Sequence, residues 1–182
     1  MKKSVILLIA AVMAASSCAP KHEPWKLVWS DEFDNTELDD STWTRVGRGP
    51  SDWNNMMSLR SDLVYIEDGE LVLLGKVNDN PEADPTPFVT GGILSKNKKS
   101  FRMAKFEMRA KFNSAKGFWP ALWLMPQGPM KGNDYAEIDL MEHLNHDDIA
   151  YQTVHSRYTL DKKEGPAKGN SSPINPDDWN TY

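Results

Sequence analysis

Glu137, Asp139 and Glu142 bring three carboxylates into one short segment, Tyr135-Ala136-Glu137-Ile138-Asp139-Leu140-Met141-Glu142-His143. Neighbouring carboxyl groups can divide an acid–base task, one ionised as a nucleophile and another protonated as a general acid. On an extended strand Glu137 and Asp139 share a face, while Ile138 and Leu140 take the other. Glu142 has the wrong parity. One inserted residue at Leu140-Met141, a β-bulge, returns it to the acidic face. The outer acids then stand about four strand steps apart, roughly 13 Å between Cα atoms. Two glutamates leaning toward each other can close the carboxyl gap to about 5–5.5 Å, where one attacks a sugar and the other protonates its leaving group. Three acids on one face also repel. The middle one, Asp139, shares a proton or a hydrogen bond with a neighbour, which raises one pKa.

The same residues allow a second reading. Ala136, Leu140 and Leu144 are also helix-spaced, so the segment could be an amphipathic helix with solvated acids. His143 and His146 lie at helical spacing too, but with Glu142 they form no recognised zinc pattern.

The elements around the acids read as strands. Ala104, Phe106, Met108, Ala110 and Phe112 alternate with charged residues, which predicts one long half-buried strand over 104–112. Phe118 to Met125 is apolar almost throughout and predicts a strand buried on both faces, with Pro120 at its start or at an irregularity. Trp119, Ala121, Trp123 and Met125 share one parity there, and flat aromatic rings suit the apolar C–H faces of sugars. Ile149, Tyr151, Thr153 and His155 alternate in the strand that follows the acids. Leu63–Ile66 and Leu71–Leu74 flank Glu67-Asp68-Gly69-Glu70, the clearest hairpin signal in the chain. Trp25, Leu27 and Trp29 alternate as a first strand, and Gly91 to Ser95 opens a short one. Residues 31–42, 78–87 and 165–175 read as loops. With many short strands, frequent turns and no long helix, the fold class is all-β, a sandwich or barrel.

Composition closes off other classes. The chain has 182 residues, of which 40% are hydrophobic, too many for a disordered chain. One cysteine excludes a disulfide scaffold and cysteine-rich metal sites. A net charge of −5 argues against nucleic acid as a partner. All-β domains often need roughly 200–250 residues. Pro176 to Tyr182 looks like the start of another strand, so the reading includes a domain incomplete at its C-terminus.

The N-terminus reads as an address. Lys2 and Lys3 precede an apolar run from Val5 to Ala15, too short to span a bilayer comfortably. The segment Ala15-Ser16-Ser17-Cys18 resembles a bacterial lipoprotein signal, in which the cysteine is lipidated. That gives a signal peptide over 1–17, a lipoprotein tether over 18–24 and a domain over 25–182. It places the protein in the bacterial cell envelope, anchored to a membrane through Cys18. Ordinary secretion with an incidental cysteine is the other reading.

Several motifs then combine. Trp29-Ser30-Asp31-Glu32-Phe33, Gly91-Gly92-Ile93-Leu94-Ser95-Lys96, Phe106-Glu107-Met108-Arg109-Ala110-Lys111, Gly117-Phe118-Trp119-Pro120-Ala121-Leu122-Trp123-Leu124-Met125 and Glu137-Ile138-Asp139-Leu140-Met141-Glu142 resemble glycoside hydrolase family 16, the laminarinase/licheninase-like retaining endo-β-glucanases. The resemblance implies a concanavalin A-like jelly-roll sandwich with a cleft on its concave sheet. It implies a retaining endo-hydrolase of β-1,3- or mixed-linkage β-1,3/1,4-glucan, with Glu137 as nucleophile, Glu142 as acid/base and Asp139 assisting. It also implies substrate contacts from Trp119, Trp123, His155, Trp53 and Asn54. No cofactor is required, and a structural calcium is a family feature whose ligands the sequence does not name. The expected partner is a polysaccharide, and the protein is expected to be a monomer. Met56 and Met57 stand where many family glucanases place a Glu, which opens a red-algal galactan as the alternative substrate. A non-catalytic carbohydrate-binding protein on the same sandwich is the rival from another class.

Overall fold

The computed structural model describes residues 24–128, 135–160 and 168–182. The expected signal peptide, Cys18 and nearly all of the tether lie outside the described residues. The chain divides into two units, Met1–Ser30 and Asp31–Tyr182. In the first, the alternation of Trp25, Leu27 and Trp29 does not become a strand, and Trp25 and Leu27 are exposed. Alternation assigns side chains to faces, but a strand also needs a partner for its backbone groups.

The second unit carries twelve strands among its described residues: β1 (Thr44–Arg45), β2 (Val64–Glu67), β3 (Glu70–Leu73), β4 (Gly75–Val77), β5 (Phe88–Thr90), β6 (Ile93–Leu94), β7 (Arg109–Ala110), β8 (Ala121–Leu124), β9 (Ala136–Glu142), β10 (Ile149–Ser156), β11 (Lys168–Pro173) and β12 (Asn180–Thr181). One four-residue helix, α1 (Arg157–Leu160), follows β10. A four-stranded sheet runs β11-β10-β9-β8, and β1-β6, β2-β3, β4-β5 and β7-β12 pair separately. Every ladder is antiparallel.

The β2–β3 hairpin forms where the Asp-Gly signal puts it. Glu67 faces Glu70, and Asp68 and Gly69 turn with φ of 53° and 76°. Two successive positive φ values are what a tight hairpin with right-handed strand twist demands. Leu63, Val64 and Val89 are almost completely buried. Gly91 lets the chain pass close to Leu63 and Val64. Its N–H donates to the Leu74 carbonyl at 2.9 Å, and a Cβ on Gly91 would stand 2.0 Å from the Leu63 carbonyl oxygen. Backbone cannot swing aside as a flexible side chain can. Gly91→Ala is expected to cost about 1–3 kcal/mol or more, read as a lower thermal unfolding midpoint.

Three expectations about strands need correction. The segment 104–112 keeps its alternation of half-buried and exposed residues, but only Arg109–Ala110 is strand, paired with β12. Reciprocal bonds between Met108 and Tyr182 extend that pairing by one step. The pattern fixed the faces; the length of the ladder was set by the partner. The strand expected over 118–125 is β8 alone, and it is not buried on both faces: Trp119 and Met125 are exposed and Trp123 is half-buried. The described part of the loop expected over 165–175 contains β11, which pairs with β10 from Ile149↔Pro173 to Val154↔Lys168. At a sheet edge, Gly169 and a terminal Pro173 are tolerated, because one side of the strand needs no partner.

Candidate active site

β9 carries the three acids, and its two neighbours reveal the bulge. On β8, Leu122 faces Met141 but Trp123 faces Asp139, so two steps on β9 match one on β8. On β10, Tyr151 faces Glu142, Thr153 faces Asp139 and His155 faces Glu137. Residues 151, 153 and 155 share a face of β10, so their partners share a face of β9. Glu142, Asp139 and Glu137 therefore line one surface, with the register shift between Asp139 and Glu142. Excess twist and an unpaired residue at Leu140 are what such a bulge supplies. The segment is a strand, and the helical reading falls.

Each acid has a ring-bearing neighbour. The Tyr135 hydroxyl donates to Glu137 Oε2 at 2.7 Å. The Trp119 indole N–H donates to Glu142 Oε1 at 2.8 Å. His155 Nε2 stands 3.3 Å from Asp139 Oδ2. That last contact is close but not aligned as a hydrogen bond, and Asp139 Oδ2 has no hydrogen-bond partner among the described residues. Asp139 is 4% exposed. Burial first, then the charges of Glu142 and Glu137, push its carboxyl up to about 6, while His155 pulls the other way. A protonated Asp139 can donate to a flanking carboxylate.

The segment before β8 is tied to the segment after β9. The His143 N–H donates to the Pro120 carbonyl, the Asn145 N–H to the Phe118 carbonyl, and the Gly117 N–H to Asn145 Oδ1. Gly117 turns with a φ of 83°. Proline loses its donor but keeps its acceptor, so Pro120 sits in this extension without leaving a buried N–H unpaired. The consequence is Trp119 held beside Glu142.

Trp123, cross-strand from Asp139, is on the acidic face. Trp53 meets it edge to face, with ring centroids 5.3 Å apart. The pair forms an aromatic wall next to the acids. Asn54 is engaged within its own loop: its Oδ1 accepts from the Ser51 N–H and its carbonyl from the Gly49 and Met57 N–H groups. Its visible work is to shape the loop that presents Trp53.

His143 is fully buried, 2.7 Å from the Asp147 carbonyl through Nε2 and packed on the Phe112 ring. It is part of the core. The donor atoms of Glu137, Asp139 and His155 lie within 4.8 Å of one another, a set that could hold a cation and that coincides with the acids themselves. No assignment of calcium ligands emerges among the described residues. Tyr135 is the site residue the sequence reading left without a role. Its signal was available, since it lies two positions before Glu137 and so on the same face.

The family model for Glycosyl hydrolases family 16 matches residues 53–182. Over the full chain the sequence is 33% identical to a keratan-sulfate endo-1,4-beta-galactosidase of Sphingobacterium multivorum, of which it covers 42%. It is 31% identical to a beta-glucanase of Rhodothermus marinus, over 83% of this chain and 55% of that protein. The chain thus spans about half the length of these relatives. Among solved structures, the catalytic domain of an endo-1,3-beta-glucanase (laminarinase) from Thermotoga petrophila RKU-1 superposes with a TM-score of 0.67 at 25% identity, over 88% of this chain and 69% of that one.

Proposed function

The chain belongs to glycosyl hydrolase family 16 and folds as an all-β jelly-roll sandwich, and on that premise we propose that it is a retaining endo-hydrolase of a β-1,3- or mixed-linkage β-1,3/1,4-glucan. The bulge in β9 carries this reading, because without it Glu142 would face away from Glu137. Glu137 attacks the anomeric carbon as Glu142 protonates the departing oxygen. Glu142 then removes a proton from water, which releases the glycosyl group from Glu137. Asp139 passes a proton or hydrogen bond between them as their charges change. Trp123 and Trp53 offer stacking surface to the sugar rings, and His155, across from Glu137, borders the same subsite.

A β-galactan is the second reading. The similarity to the keratan-sulfate endo-1,4-beta-galactosidase runs along the whole chain, and Met56-Met57 occupy the loop beside Trp53. Reducing-end release from laminarin, barley mixed-linkage glucan, agarose and keratan sulfate separates the readings, with NMR reporting the anomer first formed. Glucan cleavage with retained β-configuration is the expected result. Cleavage of the galactans alone selects the second reading, and no cleavage by the full-length protein selects a carbohydrate-binding role.

Export and anchoring belong to the same proposal. The basic start, the short apolar run and Ala15-Ser16-Ser17-Cys18 support a lipidated N-terminus. Cys18→Ser is expected to abolish acyl labelling and move the protein from the membrane fraction to the soluble fraction. An unchanged distribution means ordinary secretion or another anchor.

A further inference from the structure

We propose that Tyr135 is a positioning residue for the nucleophile, fixing the Glu137 carboxylate in its line of attack. The inference rests on the reading of Glu137 as nucleophile. A hydroxyl-to-carboxylate bond of 2.7 Å is a charge-assisted contact, short and directional. It fixes one oxygen, Oε2, and leaves the other for the anomeric carbon. The donor is itself held. Tyr135 lies just before β9, and its carbonyl accepts from the Arg157 N–H at 3.2 Å, which carries the β9–β10 pairing one step past Ser156↔Ala136. The phenol ring is half-buried. Its parity with Glu137 puts the hydroxyl on the acidic face without distortion of the strand.

The two outer acids are thus treated alike in one respect and differently in another. Trp119 gives Glu142 an N–H donor from β8's side, and Tyr135 gives Glu137 an O–H donor from its own strand. A carboxylate on a flexible side chain has several rotamers, and only one points at the reacting carbon. Removing the hydroxyl frees the others. The loss falls on the bond-forming step, because misorientation of the attacking atom costs rate more than binding.

The test is Tyr135→Phe in the full-length protein, which keeps the ring and deletes only the donor. Steady-state kinetics use whichever of laminarin, barley glucan, agarose or keratan sulfate the wild type cleaves. The expected result is a kcat lower by about 10- to 100-fold, a KM within a factor of two, and an unchanged thermal midpoint. The rate of inactivation by a 2-deoxy-2-fluoro glycoside of the same sugar, which traps the glycosyl-enzyme, is expected to fall by the same factor as kcat. An unchanged kcat in a folded variant overturns the proposal. So does a raised KM with kcat intact, which assigns Tyr135 to substrate contact. A lowered midpoint with a proportionate loss of active sites by titration assigns it to folding alone. A wild type silent on all four polysaccharides overturns the reading beneath the proposal, and the proposal with it.

Discussion

Glu137→Ala is expected to lower kcat on the cleaved polysaccharide by at least about 10^4-fold, and Glu142→Ala by about 10^2- to 10^4-fold. The two losses differ in kind. In the proposed mechanism Glu142 supplies a proton to the departing sugar, so its loss should matter least when the leaving group is a stable anion. On a dinitrophenyl glycoside the Glu142 variant should form its glycosyl-enzyme almost normally and then stall, because no base remains to activate water. Azide needs no base and should restore turnover, giving a glycosyl azide of β-configuration. In the Glu137 variant azide takes the place of the missing carboxylate, attacks directly and should give the α-azide. Opposite product configurations from two variants five residues apart are hard to obtain unless both side chains reach one anomeric carbon from opposite faces. That is the arrangement the bulge in β9 permits. Identical configurations, or a Glu142 variant equally impaired on both substrates, would remove the role assignment.

The acidic constellation was legible because its information is local. Residue type names the chemistry, and period two places Glu137 and Asp139 together. The misfit of Glu142 then demands one inserted residue, which β9 supplies between Asp139 and Glu142, opposite Thr153 and Tyr151 of β10. The hairpin was legible for a similar reason, since Asp68-Gly69 specifies a turn regardless of what lies beyond it. The long strand over 104–112 was not, because its alternation said which side chains are covered but not whether another strand lies alongside. β11 escaped for the opposite reason. Lys168-Gly169-Asn170-Ser171-Ser172-Pro173 has the composition of a loop, and only the neighbouring β10 makes it a strand.

The aromatic residues show the same division. Parity placed Trp123 on the acidic face. It did not reveal that Trp53, seventy positions earlier, would close against it. Nor did it show that Trp119 would donate to Glu142, because that contact depends on the backbone links from 117–120 to 143–145. Contacts between distant segments leave no trace in spacing, whereas contacts along one strand do. Tyr135 is the instructive case: it lies on the same strand line as the acids, so its position was readable even though its role was not.

Asp139→Asn is expected to make the protein more stable at pH 8 and less active. The ordinary carboxyl value near 3.8 is raised to about 6 in the fold, by burial and then by Glu142 and Glu137. Between those values the folded state binds more protons than the unfolded chain, so stability falls as pH rises through the window and stays lower above it. A shift of this size corresponds to on the order of 3 kcal/mol, absent below about pH 4 and fully present above about pH 7. Asparagine keeps the shape and removes the charge, and its amide can donate to a flanking carboxylate. The midpoint difference between variant and wild type should therefore grow from near zero at pH 4 to several degrees at pH 8. Activity should move the other way, since an amide cannot take up or release a proton as Glu137 and Glu142 change charge. His155→Ala gives the complementary sign: it removes the contact at 3.3 Å that favours the ionised form, so the wild-type loss of stability with rising pH should deepen and shift to higher pH. An Asp139→Asn variant less stable than wild type at pH 8 would mean that the buried carboxylate is held by partners strong enough to offset its desolvation. The middle acid would then be a structural anchor of the bulge rather than a strained proton carrier between two catalytic glutamates.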